Sequence, residues 1–166
     1  MTFEDIFISY KEKVFSLCYR YLPQEQEAED AVQEVFVKVY YKLDTFKAES
    51  QIGTWIYRIA INHCLDVLKS RKRKEKQLRF VSFVPFLTEV KSTPENKMED
   101  KEAYQLLSEQ LHSLAPKQLT AIVLNKLEGF SIEQVSQIMG LSYKAVESLI
   151  QRGKQNLQNK LNLPRE

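Results

Sequence analysis

Four polar side chains, Arg58, Asn62, Asp66 and Lys69, recur at intervals of three or four residues between Ile52 and Lys74. On a helix that spacing gathers them on one face. An Asn amide placed there can bond a base edge twice, and Arg and Lys can hold phosphates. The run Lys69-Ser70-Arg71-Lys72-Arg73-Lys74-Glu75-Lys76 then packs six basic residues around one acid. Alone, such a run is commonly a solvated helix end. Arg71 and Lys72 continue a face that already carries Asn and Arg, which turns the reading toward nucleic acid. A second set lies at 142–154, where Ser142, Tyr143, Lys144, Ser148, Gln151, Arg152 and Lys154 fall on or beside one polar arc. Ser142 and Tyr143 stand at a helix start, where free backbone N–H groups attract phosphate. The others can reach base edges or the DNA backbone.

A third set has the opposite character. Asp30, Gln33, Glu34, Val37 and Lys38 put acids, an amide and an exposed Val beside Phe36. An acidic face repels DNA, so this one suits a protein partner, the plain alternative being a solvated amphipathic surface. Phe46, Trp55 and Tyr57 flank the loop Lys47-Ala48-Glu49-Ser50-Gln51. Unpaired bases stack on such rings. By helical phase Trp55 falls with Ile52, Ile56 and Ile59 in the core, and Tyr57 is the freer ring. His63 lies on the apolar face and reads as structural.

Helices must position all three sets. Apolar residues recur at helical spacing in three stripes, Phe3 to Tyr21, Ala28 to Tyr40 and Ile52 to Leu68. Three helices of that length can bury a common core. Periodicity fails from about Glu75 to Asp100, where Pro85 and Pro94 interrupt any helix. The apolar patch Phe80, Val81, Phe83, Val84, Phe86 and Leu87 makes this a linker expected to dock on something. Helical spacing returns from Glu102. Leu106, Leu107, Leu111 and Leu114 precede Pro116, which suits a first helical position. Leu119, Ile122, Val123 and Leu127 follow, and Gly129 ends that segment. Ser131 and Gln134 have the form of a capping box, Gly140 that of a left-handed C-cap, and Ser142 that of the next N-cap. With Val135, Ile138, Met139, Val146, Leu149 and Gly153 inward, residues 131–154 have the pattern of a helix-turn-helix. The expected fold is all-α: two small helical domains, residues 1–75 and 101–166, joined by a flexible linker at 76–100.

Composition excludes other classes. With 24 basic and 22 acidic residues, the net charge is only +2, so nucleic-acid affinity must come from local clustering. Cys18 and Cys64 fall inside apolar patterns and read as buried free thiols. No metal-ligand spacing, Gly-rich phosphate loop or nucleophile–base pairing is visible, so the sequence implies no metal, no cofactor, no small-molecule substrate and no catalytic residues. Lacking a basic start followed by an apolar run, the chain is expected to be soluble and cytoplasmic.

Three segments resemble a known family in its order. Glu29 to Tyr40 is similar to the segment with which sigma-70 family factors grip the RNA polymerase clamp. Gly53 to Asn62, followed by Leu65-Asp66 and the basic run, resembles the family's promoter-melting and −10 reading segment. Leu114-Ala115-Pro116 and Glu128-Gly129-Phe130-Ser131, with Glu133, Gln134 and Val135, resemble the approach to its −35 reading helix-turn-helix. Two domains without a large insert match the extracytoplasmic-function (ECF) group.

The resemblance implies a transcription-initiation factor whose partners are bacterial core RNA polymerase, promoter DNA and an anti-sigma protein. It implies that Asp30, Gln33, Glu34 and Phe36 meet the clamp, and that Phe46 to Gln51, with Lys47 and Ser50, hold an extruded −10 base. Arg58, Asn62, Asp66 and Lys69 then contact the −10 strand, and Tyr143, Lys144, Ser148, Gln151 and Arg152 read the −35 element. The linker is expected to thread toward the polymerase active centre. The chain departs from the family at Ala145, where Thr is usual, at Glu147, where a basic residue is common, and at Gly153, where Ala is usual. By propensity Gly153 costs its helix about 0.5–1 kcal/mol relative to Ala. The competing reading is a duplex-binding helix-turn-helix regulator that acts without polymerase.

Overall fold

The computed structural model describes residues 1–81 and 98–161. Helix α1 (Phe3–Tyr21) opens on a capping box in which Thr2 Oγ1 accepts from the Asp5 amide at 3.2 Å and the Asp5 carboxylate accepts from the Thr2 amide at 2.9 Å. Pro23 cannot continue that helix, and α2 (Glu25–Lys42) starts directly behind it. A 3₁₀ turn, Leu43–Thr45, and a short loop lead into the long α3 (Ile52–Val81). The second half holds α4 (Met98–His112), α5 (Pro116–Ile122) with a π turn at Val123–Leu127, α6 (Ile132–Met139) and α7 (Tyr143–Leu161). Among the described residues every element is helical, as expected.

The three N-terminal helices bury a common core. Ile6, Val14, Leu17 and Cys18 of α1 meet Ala28, Val35 and Val39 of α2 and Ile56, Ala60 and Cys64 of α3, all inaccessible or nearly so. The two thiols lie together, and Cys64 is held far above the ordinary thiol range by its hydrogen bond with Cys18 and by burial. In the second half α5 lies across α7, and Leu119, Ile122, Val123, Val135, Ile138, Val146 and Ile150 close a smaller core.

Helix α3 runs past Glu75, where the apolar period ends, to Val81. Glu75, Lys76 and Gln77 are exposed, so loss of apolar period at these positions marks loss of packing rather than the end of the helix. Lys, Arg, Glu and Gln are good helix formers whether or not they touch anything. Residues 82–97 of the expected linker lie outside the described residues, as do its apolar side chains and its docking. Leu106 and Leu107 are exposed, so only Leu111 and Leu114 of that stripe are core.

Gly153 is a second correction. A Cβ built there would lie 2.9 Å from Ile122 Cγ1, so the glycine lets α5 pass close over α7. Its low helix propensity is the lesser effect.

The two halves pack against each other. The Tyr21 hydroxyl donates to Thr120 Oγ1 at 2.9 Å, with both residues buried. His112 Nε2 is bonded to the Tyr21 carbonyl at 2.7 Å. Glu128 accepts from Ser16 Oγ at 3.0 Å and from Arg20 Nε at 3.1 Å. The Tyr57 and Phe130 rings lie 5.3 Å apart. Arg58 donates to the carbonyls of Ile138, at 2.8 Å, and Gln137.

Candidate nucleic-acid and protein interfaces

The helix-turn-helix forms as its caps dictate. Ser131 Oγ accepts from the Gln134 amide at 3.1 Å, and Gln134 Oε1 accepts from the Ser131 amide at 2.9 Å. Gly140, at φ 67°, ends α6 in the left-handed region. Ser142 Oγ accepts from the Ala145 amide at 3.1 Å, so this hydroxyl caps α7 itself, leaving the remaining amides of the first turn for an anion. Val135, Ile138, Val146 and Ile150 lock the pair together. Ile150, absent from the stripe read in the sequence, takes the inward place, and Leu149 is half-buried.

Opposite that seam, Tyr143, Lys144, Ser148, Gln151, Arg152 and Lys154 are all exposed, as is Glu147. Tyr143 is 53% exposed, enough for its ring to reach a groove or a phosphate. Lys154 has a neighbour that sequence reasoning missed: its charge is the main cause holding the Lys126 ammonium below the ordinary lysine value. Lys126 comes from the π turn, where no period in the sequence marks it.

On α3, Arg58, Asn62, Asp66, Lys69 and Lys72 are exposed along one side, as their spacing predicts. Arg71 differs, since its guanidinium sits on Glu27 of α2 at 2.8 Å. Both side chains are about two-fifths exposed, so the pair holds Arg71 in place without adding much stability. Arg58 and Asn62 line a cleft of about 490 Å³ whose far wall is Pro116, Lys117, Thr120 and Ile138 to Leu141.

The loop before α3 pairs Phe46 with Trp55, ring centroids 5.0 Å apart and both half-buried. Lys47 and Gln51 are exposed and Ser50 is half-buried. Ala48 has φ 53°, the left-handed region, where a residue with a Cβ costs about 1–2 kcal/mol. The sequence carried no sign of this. Tyr57 is not the free ring expected. It is 7% exposed and packs edge-on against Tyr10, with centroids 6.1 Å apart, and against Phe130. Burial raises its hydroxyl to about 12. The neighbouring helices cover a position that the stripe on α3 alone leaves open.

On α2, Asp30, Gln33 and Glu34 are exposed and Val37 is 49% exposed. Phe36 does not share that face. It is 3% exposed and stacks edge-on against Phe7 at 4.9 Å, so it supports the helix from the core side. Lys38 turns inward to His63 Nδ1 at 3.0 Å, and burial, then the Lys38 charge, lowers the imidazole pKa. His63 is therefore structural but polar and half-buried. Tyr40 and Tyr41 extend the exposed face by a turn.

Two family models match the chain: Sigma-70 region 2 over residues 6–74 and Sigma-70 region 4 over residues 104–157. It is 34% identical to the ECF RNA polymerase sigma-E factor of Escherichia coli K12, across 96% of this chain and 86% of that one. It is 28% identical to the ECF RNA polymerase sigma factor SigW of Bacillus subtilis, across 96% and 88%. In fold it resembles the sigma factor RpoE of Bartonella quintana, solved with the anti-sigma factor NepR, at TM-score 0.67 and 22% identity over 98% of both chains. CnrH, solved with the cytosolic domain of CnrY, gives TM-score 0.67 and 22% identity over 98% of this chain and 89% of that one. The chain belongs to the sigma-70 family of RNA polymerase sigma factors, in its extracytoplasmic-function group.

Proposed function

We propose a division of labour among three faces of this sigma factor. As a member of its group it is a transcription-initiation factor that brings RNA polymerase to promoters. The face of Asp30, Gln33, Glu34 and Val37 docks on the polymerase clamp, with Phe36 holding α2 from behind. The Phe46–Gln51 loop, with Lys47, Ser50 and Gln51, takes an extruded base. Arg58, Asn62, Asp66 and Lys69, continued by Arg71 and Lys72, meet the −10 strand. Tyr143, Lys144, Ser148, Gln151, Arg152 and Lys154 read the −35 element, beside the capping Ser142. The observation that carries this reading is a separation. The polar residues of α2, α3 and α7 emerge on three separate exposed helix faces, Arg71 on Glu27 excepted, while apolar residues between them go into the core.

Energetics give the polymerase its part. Stacking in DNA averages about 1.4 kcal/mol per step, so opening five steps costs about 7 kcal/mol. Extruding one base adds a few more. One helix face cannot hold strands apart against that, so the factor reads the promoter while the polymerase keeps it open. The factor works by binding, in the cytoplasm, and catalyses no reaction of its own. An anti-sigma protein is its proposed restraint, because a sigma factor of the same fold is known in complex with one.

The test is co-migration of the purified chain with bacterial core polymerase in a native gel, against the Gln33→Ala/Glu34→Ala variant. Wild type is expected to bind and the double variant to lose binding with its circular dichroism unchanged. Failure of wild type to bind core polymerase would favour the duplex-binding regulator.

A further inference from the structure

Helices α5 and α7 lie side by side in a register that three contacts fix. Gly153 admits Ile122, whose Cγ1 is 2.9 Å from where a Cβ would stand. Asn156 Nδ2 donates to Gln118 Oε1 at 3.1 Å, and Lys160 Nζ donates to Ser113 Oγ just before α5. Residue numbers rise along α7 as they fall along α5, so the pair is antiparallel. The next step of that register brings the π turn beside α7, and Asn125 closes the turn by donating to the Phe130 carbonyl at 2.8 Å. Side chains on a helix tilt toward its N-terminus, so those of an antiparallel pair lean toward each other. Lys126 and Lys154 meet in this way. Both are exposed, and the Lys154 charge is the main cause that holds the Lys126 ammonium below the ordinary lysine value. Neither ammonium lies on a carboxylate among the described residues. An anion between two such charges replaces their repulsion with two charge-assisted bonds.

Place decides which anion this is. Tyr143 and Lys154 are eleven residues apart, about three turns, so they share one edge of α7. The rise between them is about 16 Å, more than the roughly 12 Å width of a major groove. A helix that puts its Tyr143 end among the bases therefore carries Lys154 out to the phosphates at the groove's wall. Between the two, on the same edge, stands the exposed Glu147, whose charge repels that strand. We propose that Lys126 and Lys154 together grip one backbone phosphate of the −35 duplex, so that the hold which Glu147 denies to the recognition helix is supplied from the π turn beside it. Lys126 is thus a DNA-binding residue outside the helix-turn-helix. It sets how the duplex lies on α7 and reads no base. The grip rests on the assignment of α7 to the −35 element, and its test keeps the two apart.

Lys126→Gln, Lys154→Gln and the double variant, each in the full-length chain, are titrated against a fluorescent 20-base-pair duplex of randomised sequence over a series of salt concentrations. Arg152→Ala and Tyr143→Ala are titrated alongside. Each phosphate neutralised contributes about 0.9 to the slope of log affinity against log salt. The double variant is expected to lose about 0.9 of slope, one phosphate, and each single variant to weaken binding about threefold to tenfold. Without DNA, the melting temperature of Lys126→Gln should equal or exceed that of wild type, since a repulsion has gone, so the weaker binding is not a damaged fold. A double variant with unchanged slope, while Arg152→Ala lowers it, would overturn the grip and leave the −35 assignment standing. So would a loss of about 1.8, which puts the lysines on separate phosphates. If duplex binding is unchanged and the double variant instead loses core polymerase in a native gel, the pair serves an acidic protein surface and the proposal fails. If Arg152→Ala and Tyr143→Ala also change nothing, the −35 assignment fails and the grip falls with it.

Discussion

Deleting one oxygen atom tests whether the two halves close in solution as they do in the structure. Tyr21→Phe removes the hydroxyl that donates to Thr120 Oγ1 at 2.9 Å. Tyr21 is inaccessible and Thr120 is 3% exposed, so the threonine oxygen is left without either a partner or water. An orphaned buried polar group costs about 1–3 kcal/mol, whereas replacing both partners by apolar groups of the same shape is nearly neutral. Tyr21→Phe and Thr120→Val are each expected to lower stability by about that amount in urea denaturation of the full chain. Their combination should cost far less than the sum, because each change removes what the other leaves stranded. In a chain whose halves stay apart both oxygens are hydrated, and each change would then cost little. Single variants within about 0.3 kcal/mol of wild type, combining additively, would refute the packed arrangement.

Two further outcomes follow from packing and charge. Gly153→Ala should destabilise by about 1 kcal/mol or more, as overpacked sites do, despite its better helix propensity; in the Ile122→Ala background, which removes the atom 2.9 Å away, the same change should become neutral or stabilising in the same urea assay. The His63 imidazole is surrounded by Lys38, Glu34 and Asp66, and its folded pKa lies below the ordinary 6.5 through burial and Lys38. The unfolded chain therefore binds the extra proton first, so stability present above pH 6.5 should fall as pH drops through that value, and His63→Gln should flatten this part of the curve.

Much of the fold was legible because caps, prolines and apolar stripes agreed. Ser131, Gly140 and Pro116 all took the positions their types predict. What stayed hidden was set by contacts between distant segments. Tyr57 reads as free on α3 alone and becomes buried through Tyr10 and Phe130. Phe36 stands next to an exposed Val37 but turns 100° away from it, about one residue of helical rotation. Gly153 looks like a helix defect until Ile122 is seen against it. Arg58 has the spacing of a nucleic-acid contact, and no local pattern discloses that α6 also claims it.

The π turn at Val123–Leu127 changes the winding of the chain between α5 and α6. Its hydrogen bond from the Glu128 amide to the Val123 carbonyl, 2.9 Å long, encloses one residue more than an α-helix would. One residue is about 100° of screw. Deleting one residue from this turn would restore ordinary pitch and swing Glu128 away from Ser16 and Arg20. The surplus residue of this turn, the packing of α5 on α7 and the Arg58 contact with α6 together set the direction in which the downstream helix-turn-helix faces.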